Sequence, residues 1–276
     1  MDLRNILSET NFEFKKKFGQ NFISDENLLK AICADAKLTK EDEVLEIGVG
    51  AGTLTKIIAQ NAKKVVGYEI DKTLASVHEK SLANVHNATV VFGDFLKAEP
   101  SEINSHFDVN FKVVANLPYY VTTDIIFKLI EENINAKSLT LMVQKEVAER
   151  LVSKPKTKEY GTITVELDAI SNVRIARIVD RRMFNPMPNV DSAIVTIELN
   201  RTKYQIADFH FLQKVIRAGF SMRRKTLSNC LKSSLGLSTE KISQIYSMLG
   251  LKDGVRGEEL TTEQYVKLAN CIFENK

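Results

Sequence analysis

The chain is poor in the residues that build covalent or metal staples. Its three cysteines, Cys33, Cys230 and Cys271, lie far apart without CxxC spacing, so neither a disulfide framework nor a zinc knuckle is indicated and buried, reduced thiols are expected. The four histidines, His78, His86, His106 and His210, form no pair at helical ligand spacing, and metal-free chemistry is expected. No segment approaches the roughly 18 apolar residues of a membrane span, and Met1 to Asn11 has no apolar signal core, so a soluble, cytoplasmic protein is expected. A strong excess of one charge is also missing. With 38 Lys and Arg against 35 Asp and Glu, the net charge of +3 is too small to identify a nucleic-acid partner.

What is present is ample material for a core. A chain of 276 residues, 44% hydrophobic and 26% charged, suits one large domain with a small appendage. The basic residues are clustered: Lys15-Lys16-Lys17, Arg181-Arg182 and Arg223-Arg224-Lys225 each stand beside an aromatic (Phe18, Phe184 and Phe220). Such clusters suit phosphates spaced along a folded RNA, although any one of them taken alone is equally well a solvated surface.

Short, β-branched apolar runs recur at Val44–Ile47, Val65–Tyr68, Val90–Phe92, Val113–Ala115 and Leu139–Val143. Near-continuous apolarity is what a strand buried on both faces requires, and the helical spacings between them (Leu54, Ile57, Ile58; Ile125, Ile126, Leu129, Ile130) supply crossovers, so the fold class is α/β. Thr162 to Leu167 and Ser192 to Leu199 alternate polar and apolar residues, which predicts two further strands. After Asn200 the pattern turns helical, with breaks at Gly236 and Gly250. This divides the chain into residues 1–203 and a small all-helical domain, residues 204–276.

Two places carry chemistry. Glu46-Ile47-Gly48-Val49-Gly50-Ala51-Gly52 ends a strand and opens a helix, so backbone approaches a ligand where a side chain would block it. Glu69, ending the next strand, can accept from both hydroxyls of an adenosine ribose, and Asp94, after the third, can accept an adenine amino group. This combination of GxGxG with two strand-end acids resembles the S-adenosylmethionine methyltransferases; Thr53 stands where a nicotinamide fingerprint would have its third glycine. The second place is Asn116-Leu117-Pro118-Tyr119-Tyr120. An adenine N6 is a poor nucleophile because its lone pair is delocalised into the ring. If the Asn116 amide oxygen and the Leu117 carbonyl both accept from that amine, the nitrogen is drawn toward tetrahedral geometry without a strong base. Pro118 stiffens the turn, and Tyr119 can stack on an extruded base.

These motifs stand in order with Phe18-Gly19-Gln20-Asn21-Phe22, Gln144 to Leu151, Phe184-Asn185-Pro186-Met187-Pro188-Asn189-Val190-Asp191-Ser192, and Arg223 to Leu227. From about Phe18 to the C-terminus the series closely resembles the small-subunit ribosomal RNA adenine dimethyltransferase family. The resemblance implies a Rossmann-like, seven-stranded methyltransferase sheet with a helical C-terminal domain that grips RNA, and a helix rather than a strand at Thr162–Leu167. It implies S-adenosylmethionine as cofactor, held by Asn21, Ile23, Gly48, Gly50, Glu69, Asp94 and Asn116, and Phe184 as a second wall of the adenine stack opposite Tyr119. The other role open to Phe184 is core packing. The implied substrate is two adjacent adenines in a hairpin loop near the 3′ end of small-subunit RNA, dimethylated during ribosome assembly; the RNA contacts fall to Arg181, Arg182, Arg223, Arg224 and Lys225, on a monomer bound to a pre-ribosomal particle. Two departures stand out. Val49 occupies a position where the family often has proline. Asp124 follows Thr122-Thr123, as in a related antibiotic-resistance family that modifies a large-subunit adenine, so that substrate stays open, as does a non-catalytic RNA-binding assembly factor.

Overall fold

The computed structural model describes residues 8–10, 12, 15, 21–23 and 25–274. Lys16, Lys17, Phe18, Gly19 and Gln20 of the N-terminal motif and basic cluster lie outside the described residues.

The expected apolar runs form the strands β2 (Glu43–Ile47), β3 (Lys64–Glu69), β4 (Ala88–Phe92), β5 (Phe111–Asn116) and β6 (Ala136–Gln144), preceded by a two-residue strand β1 (Phe22–Ile23). Each adjacent pair in the order β4-β3-β2-β5-β6 is parallel. Two strands complete the seven-stranded sheet: β9 (Ser192–Leu199), antiparallel to β6, and β7 (Ser171–Val179) at the edge. A separate short pair joins β1 to β8 (Phe184–Asn185). Val44, Leu45, Val65, Val113, Val114 and Leu141 are almost wholly buried, the two-faced burial that a parallel sheet imposes.

Helices α1 (Glu26–Asp35), α2 (Thr53–Asn61), α3 (Ala75–Ser81), α4 (Pro100–Ser105) and α5 (Thr122–Glu131) flank the strands. In α2 and α5 the buried residues are the spaced ones expected, Leu54, Ile57 and Ile58, then Ile125, Ile126, Leu129 and Ile130. Strand order reverses between β2 and β5: the chain runs outward from β2 through β3 to β4, then returns to β5 and β6 on the other side. Connections therefore diverge at the carboxyl ends of β2 and β5, where a doubly wound sheet opens its crevice.

Two compact units divide the chain, Met1–Ala148 with Arg174–Leu199, and Glu149–Val173 with Asn200–Lys276. The expected boundary at 203/204 thus misses one segment of the second unit. That segment holds the main departure from the sequence pattern, because Thr162–Ile170 is a helix, α7, and not a strand. Helix α6 (Lys145–Leu151) precedes it. All but two residues of α7 are buried, Glu166 among them, so the helix has no polar face to show a 3.6-residue period, and packing overrides the strand preference of its β-branched residues. Glu166 is fully buried and accepts from Gln213 Nε2 (2.8 Å) and Arg217 Nε (3.2 Å) of α8 (Phe209–Phe220). Helices α9 (Leu227–Leu235), α10 (Thr239–Leu249) and α11 (Thr262–Glu274) follow. Gly236 and Gly250 end α9 and α10 in the left-handed conformation, the breaks read from the sequence.

Candidate active site

After β2 the chain turns through Gly48, Gly50 and Gly52 at φ values of 81°, 56° and 80°, where L side chains are strained. At Gly48 the second turn comes close: a Cβ there would be in ordinary contact with the Asn116 carbonyl oxygen at 3.6 Å and Pro118 Cδ at 3.8 Å. The glycine turn and the Asn-Leu-Pro-Tyr turn are therefore neighbours. Val49 is buried over Gly67 of β3, whose missing side chain makes room for it.

A cleft of about 700 Å³, open to solvent, lies between the two turns and is lined by Asn21, Ile23, Glu46, Gly48, Gly50, Glu69 and Asn116 to Tyr119, among others. The Glu69 carboxylate is 5% exposed; Oε2 accepts from Gly50 N and Oε1 from Asp71 N, both at 2.8 Å. Burial raises its pKa above the usual carboxylate range, against the pull of those two N–H groups. Asp94 faces a second cleft of about 680 Å³, with Gly48, Ile70, Phe95, Leu96, Pro118 and Tyr120. One of its oxygens caps Leu96 N at 3.0 Å. Gly48, Ile70 and Pro118 border both clefts, so one elongated ligand can span them.

On the other side, Asn116 Nδ2 donates to the Asn21 carbonyl at 3.1 Å. A carbonyl oxygen can only accept, so this contact fixes which way the amide faces and leaves Oδ1 as the free acceptor. Leu117 N donates to Met142 O at 3.1 Å, and Pro118 O accepts from Thr122 Oγ1 at 3.0 Å and Val121 N at 3.3 Å. Those bonds hold the turn from both ends. No hydrogen bond among the described residues ends on the Leu117 carbonyl. Tyr119 is partly buried with its hydroxyl 2.7 Å from Ser192 Oγ.

Other expected residues fall elsewhere. Phe184 is 5% exposed and packs with Ile23, Leu29 and Ile194; β8 pairs it directly with Ile23, which itself lines the cleft. Lys15, the one described member of its cluster, donates to the buried Asp71 carboxylate at 2.8 Å. Arg182 is bidentate on Asp180, at 2.8 and 2.7 Å, while Arg181 bonds the Asn189 carbonyl at 3.2 Å. Arg223, Arg224 and Lys225 are exposed; Arg223 and Lys225 share a cleft of about 510 Å³ with Lys158, Phe220 and Arg256. Among the described residues no group of His, Cys, Asp and Glu could hold a metal, and no helix is long and apolar enough to cross a membrane.

Two residues escaped the sequence reading. Glu46 is 1% exposed and lines the first cleft, and neither carboxyl oxygen makes a hydrogen bond of normal geometry. Burial, against the pull of the Thr55 hydroxyl and with Glu69 nearby, pushes its pKa up to about 8. Its signal was there to be read: an acid inside a two-faced apolar strand is costly unless something binds it. His78, 7% exposed and stacked on Phe92 at 5.5 Å, holds the back of the glycine turn through Nε2 and Gly50 O at 2.7 Å. A lone histidine on a helix gives no such signal.

The cleft suits a cation with a nucleoside at one end. It offers an orphaned buried carboxyl, a second carboxylate at the glycine turn and a third in the adjoining cleft, a set that repels a pyrophosphate. A doubly wound sheet with this site defines an S-adenosylmethionine-dependent methyltransferase. The chain belongs to the ribosomal RNA adenine dimethylase family, whose model matches residues 11–274. It is 41% identical over 275 residues to the ribosomal RNA small subunit methyltransferase A of Clostridium botulinum, with 99% of both chains covered. To the protein of that name from Bacillus cereus it is 41% identical over 281 residues, covering 99% of this chain and 96% of the relative. Among solved structures it is similar to a dimethyladenosine transferase from Plasmodium falciparum (TM-score 0.73, 27% identity, 90% of this chain and 95% of that one). It is also similar to the 23S rRNA methyltransferase ErmE (TM-score 0.69, 27% identity, 92% and 100% covered). The chain is thus an enzyme that methylates adenine N6 in ribosomal RNA.

Proposed function

We propose that this protein dimethylates two adjacent adenines in a hairpin loop near the 3′ end of small-subunit ribosomal RNA, acting as a monomer on a pre-ribosomal particle in the cytoplasm. The observation that carries the chemistry is the orientation of the Asn116 amide, whose Nδ2 is spent on Asn21 and whose oxygen is left to accept. The reading of the substrate is supported by the near-full-length relatives named for the small subunit, at 41% identity.

In this reading Glu69 takes the cofactor's ribose hydroxyls on the lone pairs that Gly50 and Asp71 leave free, Asp94 takes its adenine amino group, and Glu46 takes its ammonium. Asn21, Ile23, Gly48 and Gly50 form the walls that face it. When bound, the cofactor supplies an electrophilic methyl on a sulfonium. The chain's own part is to aim the nucleophile: Asn116 Oδ1 and Leu117 O accept both hydrogens of the adenine amine, which localises its lone pair, and Tyr119 stacks on the ring. Neither acceptor is basic enough to keep a proton, so after transfer the proton leaves to solvent. Arg223, Arg224 and Lys225, with Arg181 and Arg182, neutralise RNA phosphates.

Radiolabelled methyl transfer to immature small and large subunits tests the substrate. Label in the 3′-terminal adenines of the small-subunit RNA is the expected result. Label confined to the large-subunit RNA would reassign the substrate, and failure of calorimetry to detect S-adenosylmethionine binding would point to a non-catalytic assembly factor.

A further inference from the structure

Ser192 opens β9, opposite Gln144 of β6 in the ladder, and is fully buried. The residues that follow it, Ala193, Ile194 and Val195, are apolar and equally buried, so a hydroxyl at this place is costly without a partner. Its partner is the hydroxyl of Tyr119, at 2.7 Å. Neighbouring contacts make Ser192 a fixed post. Asp191 is clamped on both sides, its carbonyl accepting from Lys145 N at 3.0 Å and its carboxylate from Arg181 N at 3.1 Å. The turn that carries Tyr119 is held just as firmly, by Leu117 N on Met142 O and by Thr122 Oγ1 on Pro118 O.

What these backbone bonds leave unfixed is the Tyr119 side chain. Its ring is partly buried and borders an open cleft, so the backbone turn alone does not set the plane of the ring. We propose that Ser192 is a positioning residue for the target adenine: by holding the Tyr119 hydroxyl it sets the ring plane on which the base stacks before the RNA arrives. The hydroxyl, and not the ring alone, is then the reason for tyrosine at this position. The inference rests on the reading of Tyr119 as the stacking wall. It adds that the wall is locked from β9, across the whole width of β6.

Four variants test it: Tyr119→Phe, Ser192→Ala, the double variant and Tyr119→Ala, each assayed for kcat and KM on ribosomal RNA that the wild type methylates. Each single removal of the bond is expected to lower kcat/KM about two- to tenfold, the worth of one neutral hydrogen bond. The double variant should be no worse than either single one, because both remove the same contact. Calorimetric affinity for S-adenosylmethionine should stay at the wild-type value in all three. Losses that multiply in the double variant, or wild-type kinetics in either single one, would overturn the proposal. Tyr119→Phe breaks the bond without touching the core, so the test survives if Ser192→Ala folds poorly. Tyr119→Ala separates the two layers of argument. Wild-type rates in that variant would remove the stacking role itself, whereas a deep loss there with Tyr119→Phe and Ser192→Ala unaffected would leave the stack standing and Ser192 without its role.

Discussion

The two banks of the cleft are built from opposite chemistry. Along β2, β3 and β4 stand three acids, Glu46, Glu69 and Asp94; at the end of β5 stand an amide, a peptide carbonyl and a phenol, from Asn116, Leu117 and Tyr119. The difference follows from what each bank must hold. On the proposed reading the carboxyl groups attract a cationic cofactor, while neutral acceptors aim an aromatic amine and leave its lone pair free to attack. The turns differ in how they are made rigid as well: the first by positive-φ glycines backed by His78, the second by Pro118 and side chains reaching from elsewhere in the sheet.

The sharpest way to break this contrast is Asn116→Ala. Loss of one oriented acceptor in a preorganised site is worth about 10²–10³ in rate. Single-turnover methyl transfer should fall by that much, while filter binding of RNA stays nearly intact; wild-type turnover would remove the neutral bank from the mechanism. Glu69→Ala should act on the other bank. Losing hydrogen bonds to a charged acceptor costs about 1.5–3 kcal/mol each, so calorimetry should show cofactor affinity reduced at least tenfold, and an unchanged affinity would contradict the ribose role.

Glu46 sharpens the contrast through protons. Its folded pKa, near 8, lies above its ordinary value of 4.5, so the folded protein holds a proton that the unfolded chain has released. Stability without cofactor should therefore fall as pH rises from about 4.5 toward 8, the direction set by the folded state binding more protons. An ammonium beside the carboxyl reverses this by favouring the ionised form. At pH 7, calorimetry in buffers of different ionisation enthalpy should record proton release on cofactor binding, and Glu46→Gln should abolish it. The smallest effects belong to the exposed cations. Replacing Arg223, Arg224 and Lys225 by alanine should flatten the salt dependence of RNA binding by roughly one unit per lost contact. Arg182→Ala should change it less, since Asp180 already neutralises that guanidinium.

The placement of Glu69 and Asp94 near the glycine turn was legible because these parts are local, a glycine turn ending one strand and acids at the ends of the next two; Glu46, inside the strand, was passed over. The place of the Asn116 turn at the end of its strand was also readable, but not the contacts that orient it, because Asn21 and Ser192 come from distant parts of the chain. Phe184 was read from its motif with stacking and core packing both open, and the β8–β1 pairing that buries it joins distant parts of the chain. The alternation of residues alone read helix α7 as a strand, and only the family resemblance implied a helix there. Where every face is buried, the periodicity that distinguishes helix from strand is erased, and only the tertiary partners decide.

The interleaving of the two units sets a timetable for synthesis. Residues 149–173 leave the exit tunnel well before α8, yet Glu166 finds the amide of Gln213 and the guanidinium of Arg217 only there. Until α8 emerges, a nascent chain carries α7 without the helix that covers one of its faces. For the same reason a stop codon after residue 203 would not yield a tidy catalytic fragment but a protein with an orphaned helix.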